Sequence, residues 1–76
     1  MQAYVLIKTN VGETVSVVNM LRQIKGVKAA NVTFGPYDAI ALIEAGSLNA
    51  VGDLITELVR GTPGVVDTIT CLIVDT

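Results

Sequence analysis

Gly26-Val27 recurs as Gly64-Val65 at a spacing of 38 residues, half of the chain's 76. At that offset Tyr4-Val5 aligns with Leu42-Ile43, Val17 with Ile55, Met20-Leu21 with Leu58-Val59, and Phe34 with Leu72. Apolar residues fall on apolar residues at these positions, a cryptic repeat by which the chain reads as two copies of one supersecondary unit. A fold divisible into similar halves accounts for this match, which the alternative of an irregular α+β hairpin stack leaves unexplained.

The unit itself follows from periodicity. Ala3 to Thr9 alternates, with Val5 and Ile7 on one side and Tyr4 and Leu6 on the other, which predicts a first strand. Asn10 with Glu13 three positions later has the spacing of a capping box, and Val11, Val15, Val18, Leu21 and Ile24 follow at helical steps. A first helix is therefore expected up to about Lys25, stopped by Gly26. Val27 to Phe34 and Asp38 to Ala45 are predicted as a second and third strand joined as a hairpin through Gly35-Pro36-Tyr37-Asp38. Ser47 can cap a second helix with an apolar face of Leu48, Val51, Leu54, Ile55, Leu58 and Val59, ended by Gly61-Thr62-Pro63-Gly64. A last strand is expected from Val65 to Asp75. The order βαββαβ with equal halves predicts an α+β, ferredoxin-like sandwich: a four-stranded antiparallel sheet with two helices on one face, in a single domain spanning 1–76.

Strands three and four are apolar on both sides, which leaves the sheet face opposite the helices rich in exposed apolar groups. Such a face marks an interface, and a two-fold dimer through the sheets is the simplest closed arrangement. Size supports this, since 51% hydrophobic residues are hard to bury in so short a chain. One cysteine, Cys71, allows no disulfide within the protomer, and without any His the seven carboxylates show no ligand-like clustering, so no metal and no cofactor are expected.

Charge limits the partners. The net charge is −2 and the five basic residues form no stripe, which argues against direct nucleic-acid binding. No apolar run approaches the ~20 residues of a membrane span, and Met1 leads straight into a strand pattern without a signal peptide, so a cytoplasmic location is expected. Catalysis lacks support: Cys71 falls mid-strand, no Ser or Thr has a visible base partner, and neither glycine turn has the spacing of a phosphate loop.

Gly35-Pro36-Tyr37-Asp38 remains the candidate site. Gly, Pro and Asp suit a turn by themselves, but Tyr37 is not required by one, and an aromatic wall with a polar tip is what a small-molecule site uses. Thr68 and Thr70, on one side of the last strand, are either ordinary strand residues or hydroxyls lining a pocket at a subunit contact.

Taken in order, Gly26-Val27, Gly35-x-Tyr37-Asp38 and Pro63-Gly64-Val65-x-x-Thr68-x-Thr70 resemble the ligand-binding (RAM) domain of Lrp/AsnC (leucine-responsive, feast/famine) transcriptional regulators. The resemblance implies a homodimer through the sheets, a ring-like oligomer of dimers, and a free amino acid or similar small effector held between dimers. By position it implies Gly35, Tyr37 and Asp38 as the effector loop, with Thr68 and Thr70 as further ligand-binding candidates. Pro36 stands where the family usually carries an acidic residue or glycine. Family members also carry an N-terminal helix-turn-helix, for which strand one at Ala3 leaves no room. The chain therefore looks like a stand-alone version, acting in transcriptional regulation through effectors or through mixed assembly with a full-length Lrp/AsnC regulator. A ferredoxin-like dimeric αβ-barrel enzyme and a purely structural assembly module remain open as alternatives.

Overall fold

The structure, a computed structural model, describes residues 1–74. Its elements run β1 (Gln2–Thr9), α1 (Thr14–Leu21), β2 (Val27–Val32), β3 (Ala39–Glu44), α2 (Leu48–Gly61) and β4 (Val65–Leu72). The strands form one antiparallel sheet in the order β2-β3-β1-β4, with β1 paired to both β3 and β4. This is the ferredoxin-like architecture expected from the repeat.

Alternation decides which side of the sheet is covered. Ala3, Val5 and Ile7 of β1 and Ala39, Ala41 and Ile43 of β3 are fully buried in one core with Val17, Val18 and Leu21 of α1 and Val51, Leu54 and Leu58 of α2. The intervening residues face the other way. Leu6, Ile40 and Leu42 are half-buried there, while Tyr4 and Ile69 keep 46% and 44% of their surface exposed.

The repeat is visible as backbone geometry. Gly26 and Gly64 both take φ +100, each entering the second strand of its half. The Gly26 carbonyl accepts from the Glu44 amide at 2.8 Å, and the Gly64 carbonyl accepts from the Asn10 amide at 2.9 Å. Each glycine is also pressed against the opposite half: a Cβ on Gly26 would lie 2.8 Å from Leu54 Cδ2, and one on Gly64 2.8 Å from Val17 Cγ2. Only a residue without a side chain satisfies both the dihedral and the contact.

Several boundaries differ from the sequence expectation. The first helix begins at Thr14, with Glu13 in the capping position and no side-chain cap bond. Asn10 and Glu13 instead close a turn, Glu13 N donating to Asn10 O at 3.1 Å, because the chain must swing from the sheet onto its face before a helix can start. Val11 is consequently outside the helix and fully exposed, and Val15 is exposed as well. The helix ends at Leu21, and the path to Gly26 tightens into three-residue bonds, Gln23 N to Met20 O and Ile24 N to Leu21 O, both 3.1 Å. Strand β2 ends at Val32, two residues early, so the connection to β3 is longer than a tight hairpin. Strand β4 ends at Leu72, and Asp75, the expected last strand residue, lies outside the described residues. The second helix starts as expected, with the Ser47 hydroxyl accepting from Ala50 N at 3.1 Å.

Just past α2, Thr62 is 2% exposed and its hydroxyl has no hydrogen-bond partner among the described residues. A buried hydroxyl without a partner loses its bond to water and gains nothing in return. Thr62→Val, which replaces the hydroxyl by a methyl group of similar size, should therefore stabilise the protomer by about 1 kcal/mol. Chemical denaturation with an unchanged m-value is the measurement that checks it.

Candidate functional site

The β2–β3 connection folds back over the sheet because two bonds draw it in. Thr33 N donates to Asp38 O at 3.0 Å and the Thr33 hydroxyl donates to Tyr37 O at 2.9 Å. Asp38 then ties the loop to β1 twice. Its amide donates to Ile7 O at 2.9 Å, and its Oδ2 accepts from Thr9 N at 2.8 Å. That carboxylate contact satisfies an amide at the point where β1 leaves its ladder. The Thr9 and Thr14 hydroxyls meet at 2.7 Å, linking the same point to the start of α1.

Tyr37 completes this corner. The Lys8 ammonium lies 5.9 Å from the centre of its ring, within cation–π range. Lys8 is also the register partner of Asp67 on β4. Beside Tyr37 the loop encloses an open groove of about 260 Å³, walled by Leu6 and Ile40 from the sheet and by Phe34, Gly35 and Pro36 from the loop. Thus Gly35, Tyr37 and Asp38 are held together at one end of β1 and β3, on the side of the sheet away from the helices.

Thr68 and Thr70 do not join them. Residues opposite each other in an antiparallel pair share a face. Thr68 is paired with Ile7 and Thr70 with Val5, both core residues, which places the two threonines on the helix side of β4. Thr68 is half-buried there and Thr70 is exposed. The register skips a residue between Lys8 and Thr9, pairing Thr9 with Val65, so Val66 stands out of the ladder at 61% exposure.

Sequence reasoning missed Leu6, Lys8, Phe34 and Ile40 as neighbours of the loop. Lys8 carried a signal: it is the one charged residue in the alternation of β1, on the same side as Tyr4 and Leu6. A larger hollow, about 360 Å³, lies along the outer edge of β2 between Arg22 and Asn31, where Arg22 Nε donates to Ala30 O at 3.0 Å. That bond fastens the turn after α1 to the edge strand, and the hollow adjoins none of the loop residues.

The family model described as the Lrp/AsnC ligand binding domain matches residues 2–76. The chain belongs to this family. An Lrp/AsnC ligand-binding domain is thus what the βαββαβ sandwich and its Gly35-x-Tyr37-Asp38 loop represent. Among solved structures, hypothetical protein PHS023 from Pyrococcus horikoshii is 32% identical, with a TM-score of 0.87 over 97% of this chain and 90% of that one. FFRP-DM1 is also 32% identical, with a TM-score of 0.89 over 96% and 97% of the two chains. The transcriptional regulator NMB0573 from Neisseria meningitidis, solved as a complex with L-Met, shares the fold at 14% identity, with a TM-score of 0.83 over 97% of this chain and 49% of that longer chain. A search of curated protein sequences found no match. None of the described helices is long and apolar enough to cross a membrane.

Proposed function

We propose that this Lrp/AsnC ligand-binding domain senses a free amino acid or similar small effector and works as a homo-oligomer in transcriptional regulation, with no catalytic step of its own. The observation that carries the reading is the Gly35–Asp38 loop, drawn onto the end of the sheet by the Asp38 carboxylate and its bond to Thr9. A carboxylate has about four acceptor positions, so one bond to Thr9 leaves Asp38 capacity for an effector's ammonium group. The L-Met complex of the distant relative NMB0573 supports an amino acid as the ligand class.

Assembly enters because the loop lies at the margin of the bare sheet face. A second copy packed on Tyr4, Leu6, Ile40, Leu42 and Ile69 would bury them and bring a second loop to the same seam. Thr68 and Thr70, turned to the other side, would then meet an effector only from a neighbouring dimer. A ring-like oligomer of dimers supplies that neighbour.

The sensing claim is tested by thermal-shift titration with each amino acid in turn. An effector at about a hundred times its dissociation constant adds about 2.7 kcal/mol, which for a domain this small raises Tm by roughly 10 °C or more. Asp38→Asn keeps a side-chain oxygen for Thr9 and removes the charge, so the fold should persist while the effector binds about tenfold more weakly. If no amino acid moves Tm, sensing is refuted and the assembly claim stands on its own.

A further inference from the structure

We propose that Phe34 is the anchor of the sheet-to-sheet dimer, its ring seated in the loop groove of a second copy. The inference rests on the assembly reading above and adds the side chain that locks it. Phe34 is the most exposed large apolar residue among those described, at 107%, and it stands at the tip of the loop. It forms one wall of its own groove and so cannot fill it. The groove is walled otherwise by Leu6, Thr33, Gly35, Pro36, Tyr37 and Ile40, a mainly apolar lining suited to an aromatic ring.

Topology brings two such grooves together. In the order β2-β3-β1-β4 the midline of the sheet runs between β3 and β1, and the groove floor is Ile40 of β3 and Leu6 of β1, which are register partners. With the two-fold axis placed along the strands at this midline, as the proposal requires, the groove of one copy lies over that of the other. Each copy then offers a ring and a cleft, as an isologous contact requires. The loop residues from Thr33 to Tyr37 carry no charge, so two tips can meet without repulsion.

Area favours the same occupant. Four strands about 4.8 Å apart and about seven residues long give the sheet face a footprint of only roughly 450 Å², so side chains inserted beyond that plane matter to the surface a partner can bury. An inserted aromatic contributes roughly 150–250 Å² more, together with the cleft it fills.

The test compares wild type, Phe34→Ala and Phe34→Trp by sedimentation equilibrium and fluorescence. Phe34 is fully exposed in the protomer, so Phe34→Ala should leave its circular dichroism unchanged while weakening association at least about thirtyfold, the loss typical of a truncated hot-spot aromatic. The chain has no Trp, so Phe34→Trp reports from one site. Its emission should be blue-shifted and shielded from acrylamide in the assembled state, and become solvent-exposed on dilution. Assembly of Phe34→Ala with wild-type affinity, or a quencher-accessible Trp in the assembled state, overturns the anchor while leaving the sheet dimer intact. A monomeric wild type overturns both.

Discussion

Gly64→Ala and Gly26→Ala should each destabilise the protomer by about 3 kcal/mol, the largest loss expected from adding a methyl group at any of the glycines. Two terms add. An L-residue held at positive φ costs roughly 1–2 kcal/mol, and overpacking a formed core costs roughly 1–3 kcal/mol more. The new Cβ would stand 2.8 Å from Val17 Cγ2 in one case and from Leu54 Cδ2 in the other. At Gly26 the Glu44 carbonyl oxygen, 3.2 Å away, closes the remaining escape, since the Glu44 backbone is pinned by its own amide's bond to the Gly26 carbonyl. A domain of this size has on the order of 4–11 kcal/mol of stability in total, and each substitution should lower Tm by roughly 10–20 °C. Gly52 provides the control of opposite sign. It lies inside α2, where an added methyl group would meet nothing within 4 Å, so Gly52→Ala should stabilise by about 0.5–1 kcal/mol. Thermal melts of the three variants under one condition decide the matter, and equal losses at all three positions would show that Gly26 and Gly64 are not special joints of the repeat.

Ile69→Glu should dissociate the assembly. Ile69 lies on the bare face opposite Leu6 and keeps 44% of its surface exposed, so the isolated protomer can hydrate a carboxylate there at little cost. In a sheet-to-sheet dimer the same carboxylate is buried without a partner, once from each copy, and an uncompensated buried charge costs about 3–5 kcal/mol. Association should weaken by at least about a hundredfold, with the melting of the dilute protomer almost unchanged. An assembly of wild-type mass at micromolar concentration would show that this face is not the interface. Raising the pH should deepen the defect and lowering it through the ordinary carboxylate range should relieve it, because only the ionised form carries the penalty.

The fold was legible because its halves repeat. Gly26-Val27 and Gly64-Val65 lie at the two joints, and alternation separated Val5 and Ile7 from Tyr4 and Leu6, the burial showing the first pair to be the core side. What local pattern could not resolve was the first turn of α1. Asn10 and Glu13 have the spacing of a capping box, but the same residues close a turn, and the need to carry the chain from sheet edge to sheet face selects the turn. The loop was legible as a turn containing Tyr37, and its Asp38 proved to be its tie to Thr9. The groove was not legible, because Leu6 and Ile40 are far from each other in sequence and meet Phe34 only when the loop folds back. Thr68 and Thr70 show a further limit. Alternation put them on one side of a strand, and only the register with Val5 and Ile7 says which side that is.

The most direct test of sensing coupled to assembly is the mass of the protein by light scattering, with and without a mixture of amino acids. A multiple of the 8.0 kDa protomer is expected, with a change in its distribution when the effector is present. A mass of one protomer at micromolar concentration, unchanged by any amino acid, would contradict it.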